Sequence, residues 1–422
     1  MDKLVLEGGR RLEGTVEVSG AKNASLPILA AAFLTKERSV IKNVPQVADV
    51  FTMVKIMKGL GAKVQHTGNT VDIDPSGVKN PVLSYKLVST MRGSICFLGP
   101  FLARFGYAQV SFPGGCVIGP RPIDLHIKGM RALGAEVTLE HGYVLAKTKQ
   151  LKGGKIFLGG AFGSSVLGTA NVMMAAVLAK GRTVIDNAAC EPEVVDLGNY
   201  LKKMGAKIEG LGSPSIEIEG VKKLSGATYS LIPDRIEAGT YIIAAAMTKG
   251  DITLKNMNLA TLGAMLDKLK EAGVSITEKN GNVRVRRNGP LKPVSVTTLP
   301  YPGFPTDLQA QMMAMMCVVP GISVITEKIY PDRFMHVSEL SRMGANIMLE
   351  GNSAIVAGRK KLSGAPVMAS DLRASAALVL AGLVAEGSTE VSRVYHLDRG
   401  YENLVQKLQS LGAKIRREKD LR

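Results

Sequence analysis

The sequence predicts an α/β protein of two domains, built from six repeats of roughly 70 residues in which sheets surround buried helices. Three observations carry that prediction. The phrase "LGA" or a close variant closes an amphipathic stretch six times, as in "MKGLGAKV", "MRALGAEV", "LKKMGAKI", "LKEAGVSI", "LSRMGANI" and "LQSLGAKI". A helix of small apolar residues precedes each copy. The chain of 422 residues, 46% hydrophobic, is long enough for two ordinary cores.

The repeating glycines are Gly61, Gly134, Gly205, Gly273, Gly344 and Gly412, separated by 73, 71, 68, 71 and 68 residues. Glycine just past a periodic helix is the ordinary helix stop, so each is expected to be a C-terminal cap. An alternating segment, a Gly or Asn turn and another strand follow, as in "AKVQHTGNTVDID" and "VSITEKNGNVRVRR", which predicts a hairpin. Ahead of the amphipathic helices stand "LPILAAAFLTKERSVIKNV", "ICFLGPFLARFGYAQVSF", "VMMAAVLAKGRTVIDNA", "YIIAAAMTKGDITLKNM", "MMAMMCVVPGISVITEK" and "ALVLAGLVAEGSTEVSR". Each reads as a helix apolar nearly all round, a break and a strand, and such helices belong inside. The Met-rich "QMMAMMC" is accordingly core packing. Six units divide most simply into two domains of three, joined near residue 230 at "YSLIPDRIEAG", with a cleft between them.

Composition excludes several classes. The longest apolar runs fall short of the roughly 20 residues of a membrane span, and "MDKLVLEGGR" has no signal-peptide pattern, so the chain is expected to be cytoplasmic. Cys96, Cys116, Cys190 and Cys317 form no paired framework, and no disulfide is expected. His66, His126, His141, His336 and His396 lack metal-ligand spacing, so no metal is expected. There is no phosphate-loop motif, "GGAFGSS" does not fit the dinucleotide fingerprint, and no organic cofactor is expected. The net charge of +17 suits nucleic acid or small polyanions, but no aromatic RNA-binding motif or continuous basic helix is present.

Candidate chemistry sits where repeats break their pattern. "SGAKNASLP" puts Lys22 and Asn23 at a helix start, where backbone N–H groups and a cation favour anions. "STMRGSICFLGP" puts Arg92 at the entry to a buried helix, where it must find an anionic partner. "FPGGCVIGPRPIDLH" has too many Gly and Pro residues for regular structure and displays Cys116 on what reads as an exposed, mobile loop over about residues 112–122. Cys96 and Cys317, in apolar runs, read as core. In the second half, "YPGFPTDLQAQ" places Asp307 at a helix N-cap, "IYPDRFMH" supplies Arg333, "ASDLRASAA" supplies Asp371 and Arg373, and "YHLDRGYENL" supplies Arg399. These groups recur where a strand hands over to a helix, and the cleft should collect them.

The set "SGAKNA", "MRGS", "PGGCVIGPRPIDLH", "EPEVVDL", "PDRIEAGT", "FPTDLQAQ", "DRFMHVSEL", "DLRASAALVLAGLVAEG" and "HLDRGYENL" resembles the UDP-N-acetylglucosamine 1-carboxyvinyltransferase family of enolpyruvyl transferases over nearly the whole chain. The resemblance implies a two-domain inside-out α/β barrel, with domains at 22–230 and at 1–21 plus 231–422, the N-terminal segment returning to the second. It implies transfer of enolpyruvate from phosphoenolpyruvate to the 3-hydroxyl of UDP-N-acetylglucosamine by addition and elimination, in the first committed step of peptidoglycan synthesis, without a protein partner. By the same resemblance Cys116 is the general acid and Asp307 the base, with Lys22, Asn23 and Arg399 catalytic. Lys22, Asn23, Arg92, Arg121, Arg373 and Arg399 would hold phosphoenolpyruvate. Arg92, Arg121, Pro122, Ile123, Asp124, Leu125, Ser165, Val166, Asp307 and Tyr330 would hold the nucleotide sugar. Sensitivity to fosfomycin through Cys116 is also implied.

The chain departs from the family pattern in places. "AFGSSVLGTANVMM" has Gly163 where lysine and Leu167 where glycine are common, which bears on the diphosphate contacts. Ala48 stands where lysine is frequent, and Pro331 and Asp332 where Glu-Asn is. None removes a proposed catalytic group. The alternatives are the shikimate-using enolpyruvyl transferase, expected to lack the cysteine loop and to start with a "PGSKS"-like phrase, and a non-catalytic or nucleic-acid-acting repeat protein on a related scaffold.

Overall fold

The computed structural model describes residues 2–85, 91–112 and 123–419, without the Arg92 side chain. Cys116, Arg121 and Pro122, and most of the expected loop at 112–122, lie outside the described residues.

Each of the six recurring glycines adopts a left-handed backbone, with φ from 87° at Gly134 to 106° at Gly205. At the first, the Gly61 N–H donates to the Lys58 carbonyl at 3.0 Å and the Ala62 N–H to the Met57 carbonyl at 3.2 Å. This pair of bonds is a Schellman motif, which satisfies carbonyls the ending helix leaves open and needs a residue that tolerates positive φ. The same two bonds close the helices Asp124–Ala132, Pro192–Lys203, Gly263–Glu271, Val337–Arg342 and Leu404–Ser410. In every copy the residue four positions before the glycine is buried, as Met57, Met130, Leu201, Leu269, Leu340 and Leu408.

The chain forms two compact units, one of the residues from Gly20 to Ile232 and one of the residues up to Ser19 together with those from Pro233 onward. In the first, the helices Lys22–Ala31, Leu98–Phe105 and Val166–Ala176 are buried. Four-stranded sheets cover them: Thr228–Ser230, Ser39–Lys42, Thr70–Asp74 and Lys63–Thr67; Val82–Leu83, Tyr107–Ser111, Tyr143–Lys147 and Glu136–Glu140; and Lys155–Phe157, Arg182–Asp186, Ser215–Glu219 and Lys207–Glu209. In each the first strand pairs parallel and the others antiparallel. The parallel edge strand of the first sheet comes from the end of the unit, so the third repeat closes on the first.

The other unit repeats this pattern around the helices Arg235–Met247, Gln309–Met316 and Leu372–Val384, and every residue of Gln309–Met316 is buried. Here the N-terminal segment does the closing. Glu13–Glu17 pairs parallel with Asp251–Lys255, and Asp2–Glu7 fits antiparallel between Ser388–Ser392 and Lys414–Lys419. Without it, one sheet would lose its edge and another an interior strand. The small-residue helices are thus enclosed on all sides, which accounts for their lack of a polar face. At ~1.5–3 kcal/mol for each large apolar side chain buried, they anchor both cores.

Both chain crossings are fastened by buried carboxylates. Ser19 N–H donates to Glu237 Oε2 at 2.7 Å, and Lys407 Nζ reaches Glu237 Oε1 at 2.7 Å and Ser19 Oγ at 2.6 Å. Ile232 N–H donates to Asp196 Oδ2 at 3.2 Å, and the Tyr229 hydroxyl to Asp196 Oδ1 at 2.6 Å. No helix among the described residues is long and apolar enough to cross a membrane.

Candidate active site

In the unit from Gly20 to Ile232, three segments whose side chains are described carry expected site residues. The first begins at Gly20, where a Cβ would lie 1.6 Å from the Asn43 carbonyl oxygen, so only glycine fits. Ala21 N–H is tied to the Ile232 carbonyl at 2.8 Å, and Lys22 opens the helix Lys22–Ala31. Lys22 is not a solvated lysine: its Nζ lies 3.0 Å from Asp49 Oδ2, with side-chain exposures of 14% and 5%. Asp49 stands in the first turn of Ala48–Gly59, where the helix field favours an acid, and it fixes the ammonium position. Asn23 follows on the same opening turn, half-buried. The Arg92 backbone starts the 3-10 turn Arg92–Phe97.

The second segment is Ile123, Asp124 and Leu125. Ile123 is buried, Asp124 is exposed as the first residue of Asp124–Ala132, and Leu125 is half-buried. The third, Ser165 and Val166, begins the helix Val166–Ala176, and Ser165 Oγ accepts the Gly168 N–H at 3.1 Å as its cap. The structure brings these two together. A Cβ on Gly168 would meet Leu125 Cβ at 3.6 Å, and one on Gly160, in the small hairpin Gly159–Gly160 and Gly163–Ser164, would meet Leu125 Cδ1 at 3.3 Å. His126, from the cysteine segment, belongs to the core: its Nδ1 lies 2.9 Å from Asn171 Nδ2, and Asn171 also bonds Ile95 and Gly99.

In the other unit the expected residues converge more tightly. Asp307 corrects the sequence expectation, because it caps nothing. It lies within the 3-10 turn Thr306–Leu308, whose N-cap is Pro305 with no side-chain cap. Long-range partners take its carboxylate instead: Arg333 Nη1 donates to Oδ1 at 3.0 Å and Arg373 Nη2 to Oδ2 at 2.8 Å. Asp307 is 25% exposed, whereas the two arginines are 5% and 3% exposed. Burial opposes the charge on Arg373 and Arg333, but Asp307, together with Tyr401 and Asp234 around Arg373 and with Asp371 around Arg333, raises both above the ordinary arginine value.

Arg373 is placed by its helix, capped by Asp371 Oδ1, which accepts from the Arg373 and Ala374 N–H groups at 2.8 and 3.1 Å. Beneath Asp307, buried Gln311 donates to the Asp307 carbonyl at 3.0 Å and reaches Thr240 Oγ1 and the Tyr401 hydroxyl at 3.2 Å. The Arg373 guanidinium lies 5.5 Å from the Tyr401 ring centre. His336 is buried beside this group. Burial lowers its pKa to about 4 against the opposing pull of Asp371, so it is neutral near pH 7. Tyr330 is half-buried, with the Arg333 guanidinium 5.8 Å from its ring, and Arg399 ends the 3-10 turn Val394–Arg399 half-buried.

Sequence reading singled out Asp307, Arg333 and Arg373 separately but missed Asp49, Thr240, Gln311 and Tyr401. Asp49 alone left a local signal, an acid in a helix's first turn. Cys96 and Cys317 are buried core thiols, each pushed up to about 12 by burial, and Cys190 is raised by burial and then by Glu191.

Residues 6–408 match the family of EPSP synthase (3-phosphoshikimate 1-carboxyvinyltransferase). The chain is 57% identical to UDP-N-acetylglucosamine 1-carboxyvinyltransferase of Geotalea uraniireducens, over 98% of this chain and 99% of that one. It is likewise 57% identical to the protein of that name from Desulfosudis oleivorans, over 99% of each. Among solved structures it is similar to the enolpyruvyl transferase NikO from Streptomyces tendae, with a TM-score of 0.90, 26% identity and 99% of each chain covered. The six four-stranded sheets among the described residues and the nearly full-length match agree, and the chain belongs to the enolpyruvyl transferases of the EPSP synthase family.

Proposed function

We propose that this protein transfers the enolpyruvyl group of phosphoenolpyruvate to the 3-hydroxyl of UDP-N-acetylglucosamine, releasing phosphate. The observation that carries the reading is the Asp307 carboxylate, held by two buried arginines yet partly exposed, in a chain 57% identical to transferases of that name. Each oxygen of the bracketed carboxylate accepts an arginine N–H, and an ionised carboxylate can take a proton from a hydroxyl.

In the addition step the sugar oxygen bonds to C2 of phosphoenolpyruvate, Asp307 receives the hydroxyl proton, and Cys116 supplies a proton to C3. In the elimination step a C3 proton passes to the Cys116 thiolate left by the addition, the C2–oxygen bond to phosphate breaks with its electron pair leaving on phosphate, which takes up the proton held by Asp307, and the enol ether forms. Lys22, oriented by Asp49, Asn23 and the arginines Arg92, Arg121, Arg373 and Arg399 serve the phosphate and carboxylate of phosphoenolpyruvate. Ile123, Asp124, Leu125, Ser165 and Val166, with Pro122 and Tyr330, serve the nucleotide sugar. The product places the enzyme at the start of peptidoglycan synthesis in the cytoplasm.

The test is phosphate release with phosphoenolpyruvate and each acceptor in turn. Release with UDP-N-acetylglucosamine and none with shikimate 3-phosphate is expected, and the opposite result would overturn the reading. The acid is tested with fosfomycin, a phosphonate epoxide. One adduct on the Cys116 peptide is expected, since burial suppresses the thiolate of Cys96 and Cys317. An adduct on another cysteine would remove Cys116 from the mechanism.

A further inference from the structure

Glu327 is wholly buried, and four donors converge on its carboxylate. Oε1 accepts from the Thr298 hydroxyl at 2.6 Å and from the Ile329 and Tyr330 N–H groups at 2.8 and 3.0 Å. Oε2 accepts from the Thr306 hydroxyl at 2.8 Å. A hydroxyl has a single proton. Once Thr306 gives it to Glu327, its oxygen faces every other neighbour as an acceptor.

That neighbour is Arg333, whose Nη1 donates to Thr306 Oγ1 at 2.9 Å and to Asp307 Oδ1 at 3.0 Å. The two protons of one amino group are thus divided between the hydroxyl and the carboxylate, which fixes the guanidinium in the plane that meets Asp307. If the Thr306 proton were turned toward Arg333, two donors would face each other and the arrangement would break.

We infer that Glu327 and Thr306 are positioning residues for the reaction: the buried carboxylate sets the direction of the Thr306 proton, and Thr306 thereby holds Arg333 against Asp307. Neither residue touches the substrate in this scheme; both act through Arg333. The same carboxylate binds the Tyr330 N–H, so one buried charge organises two expected site residues from one side. The inference rests on Asp307 being the base in the proposed reaction.

The test compares Thr306→Val and Thr306→Ser in steady-state phosphate release. Thr306→Val should lower kcat roughly 10- to 100-fold, the worth of one hydrogen bond to a charged group, with both KM values within about threefold. Thr306→Ser keeps the hydroxyl and should recover most of the turnover. A structural defect would add to any other lesion, so Thr306→Val is also placed in Asp307→Asn. There it should cost less than about threefold, because the group it serves is gone.

Turnover of Thr306→Val within threefold of wild type, or an equal loss in the Asp307→Asn background, would overturn the inference. Should Thr306→Val fail to fold, Glu327→Gln carries the same comparisons, its amide N–H₂ reversing the Thr306 proton while its oxygen keeps the turn. A wild-type protein that releases no phosphate would count against the proposed reaction. Active wild type with Thr306→Val unaffected would count against the positioning chain alone.

Discussion

The two units hold their expected site charges in different ways. In the unit from Pro233 onward, the candidate base is gripped by two guanidinium groups and backed by Gln311, so its geometry is fixed by three buried partners, two of them distant in sequence. In the unit from Gly20 to Ile232, the expected anion site is assembled from helix starts: Lys22 on an opening turn, and Ser165 on a capped one. A base needs one oxygen held in place against a hydroxyl, which a rigid bracket supplies. An anion needs several donors and a positive field, which helix starts and one ammonium, itself held by Asp49, supply.

The sharpest way to break this contrast is Asp307→Asn. The amide can accept from one arginine, but its N–H₂ would face the other, and it takes no proton. We expect turnover to fall roughly 100-fold or more. Stability should fall as well, by about 2–4 kcal/mol, because a buried arginine loses its partner. Near-normal turnover would make the bracket an ion-pair cluster without catalytic work.

The next test addresses the other unit. Lys22→Gln should raise the KM for phosphoenolpyruvate roughly 10- to 100-fold, the range expected for one charge-assisted hydrogen bond, and leave the KM for the nucleotide sugar within a few-fold. Asp49→Asn should shift the same KM in the same direction by less, since it keeps the ammonium but loosens its placement. If both KM values moved together, Lys22 would be holding the fold and not the substrate.

A third prediction uses the carboxylates at the two crossings. Burial raises Glu237 from 4.5 to about 7, although Lys407 pulls it down, and raises Asp196 from 3.8 to about 6. Folded values above unfolded ones mean the folded state binds more protons. These groups therefore contribute stability that is full below about pH 4 and is lost as pH rises toward 7. The Glu237 contribution is at most a few kcal/mol. Melting curves of Glu237→Gln between pH 4 and 8 should show a weaker fall with rising pH than wild type, and an unchanged slope would assign the linkage elsewhere.

What the sequence could tell follows from the range of each interaction. The six Schellman glycines were legible because positive φ restricts residue choice locally, and the enclosed helices because they have no polar face. Lys22, Asp307 and Arg373 stood out as charges interrupting apolar patterns. Their partners did not. Gln311 lies inside a run that reads as core, and Thr240 and Tyr401, whose hydroxyls meet at 2.8 Å, are 161 residues apart. Asp307 was misread as a cap for the same reason: a Pro-Gly turn followed by an acid is a local signal for capping, and the arginines that claim the carboxylate are 26 and 66 residues away.

The smallest effect concerns Ser165, where the helix-start mode of the first unit is most exposed to test. Its oxygen accepts the Gly168 N–H, which leaves the hydroxyl proton to donate to a ligand oxygen. Ser165→Ala removes both roles and should cost about 1 kcal/mol of stability, the usual worth of an N-cap, together with a few-fold rise in the KM for the nucleotide sugar. Ser165→Asp separates them. Aspartate caps as well as serine and suits a helix N-terminus, so the melting temperature should return to the wild-type value. Its charge would oppose the diphosphate, so the KM for the nucleotide sugar should rise further than in Ser165→Ala, while the KM for phosphoenolpyruvate changes little. Nucleotide-sugar binding as tight in Ser165→Asp as in wild type would show that the hydroxyl only caps the helix, and that the diphosphate lies elsewhere in the unit.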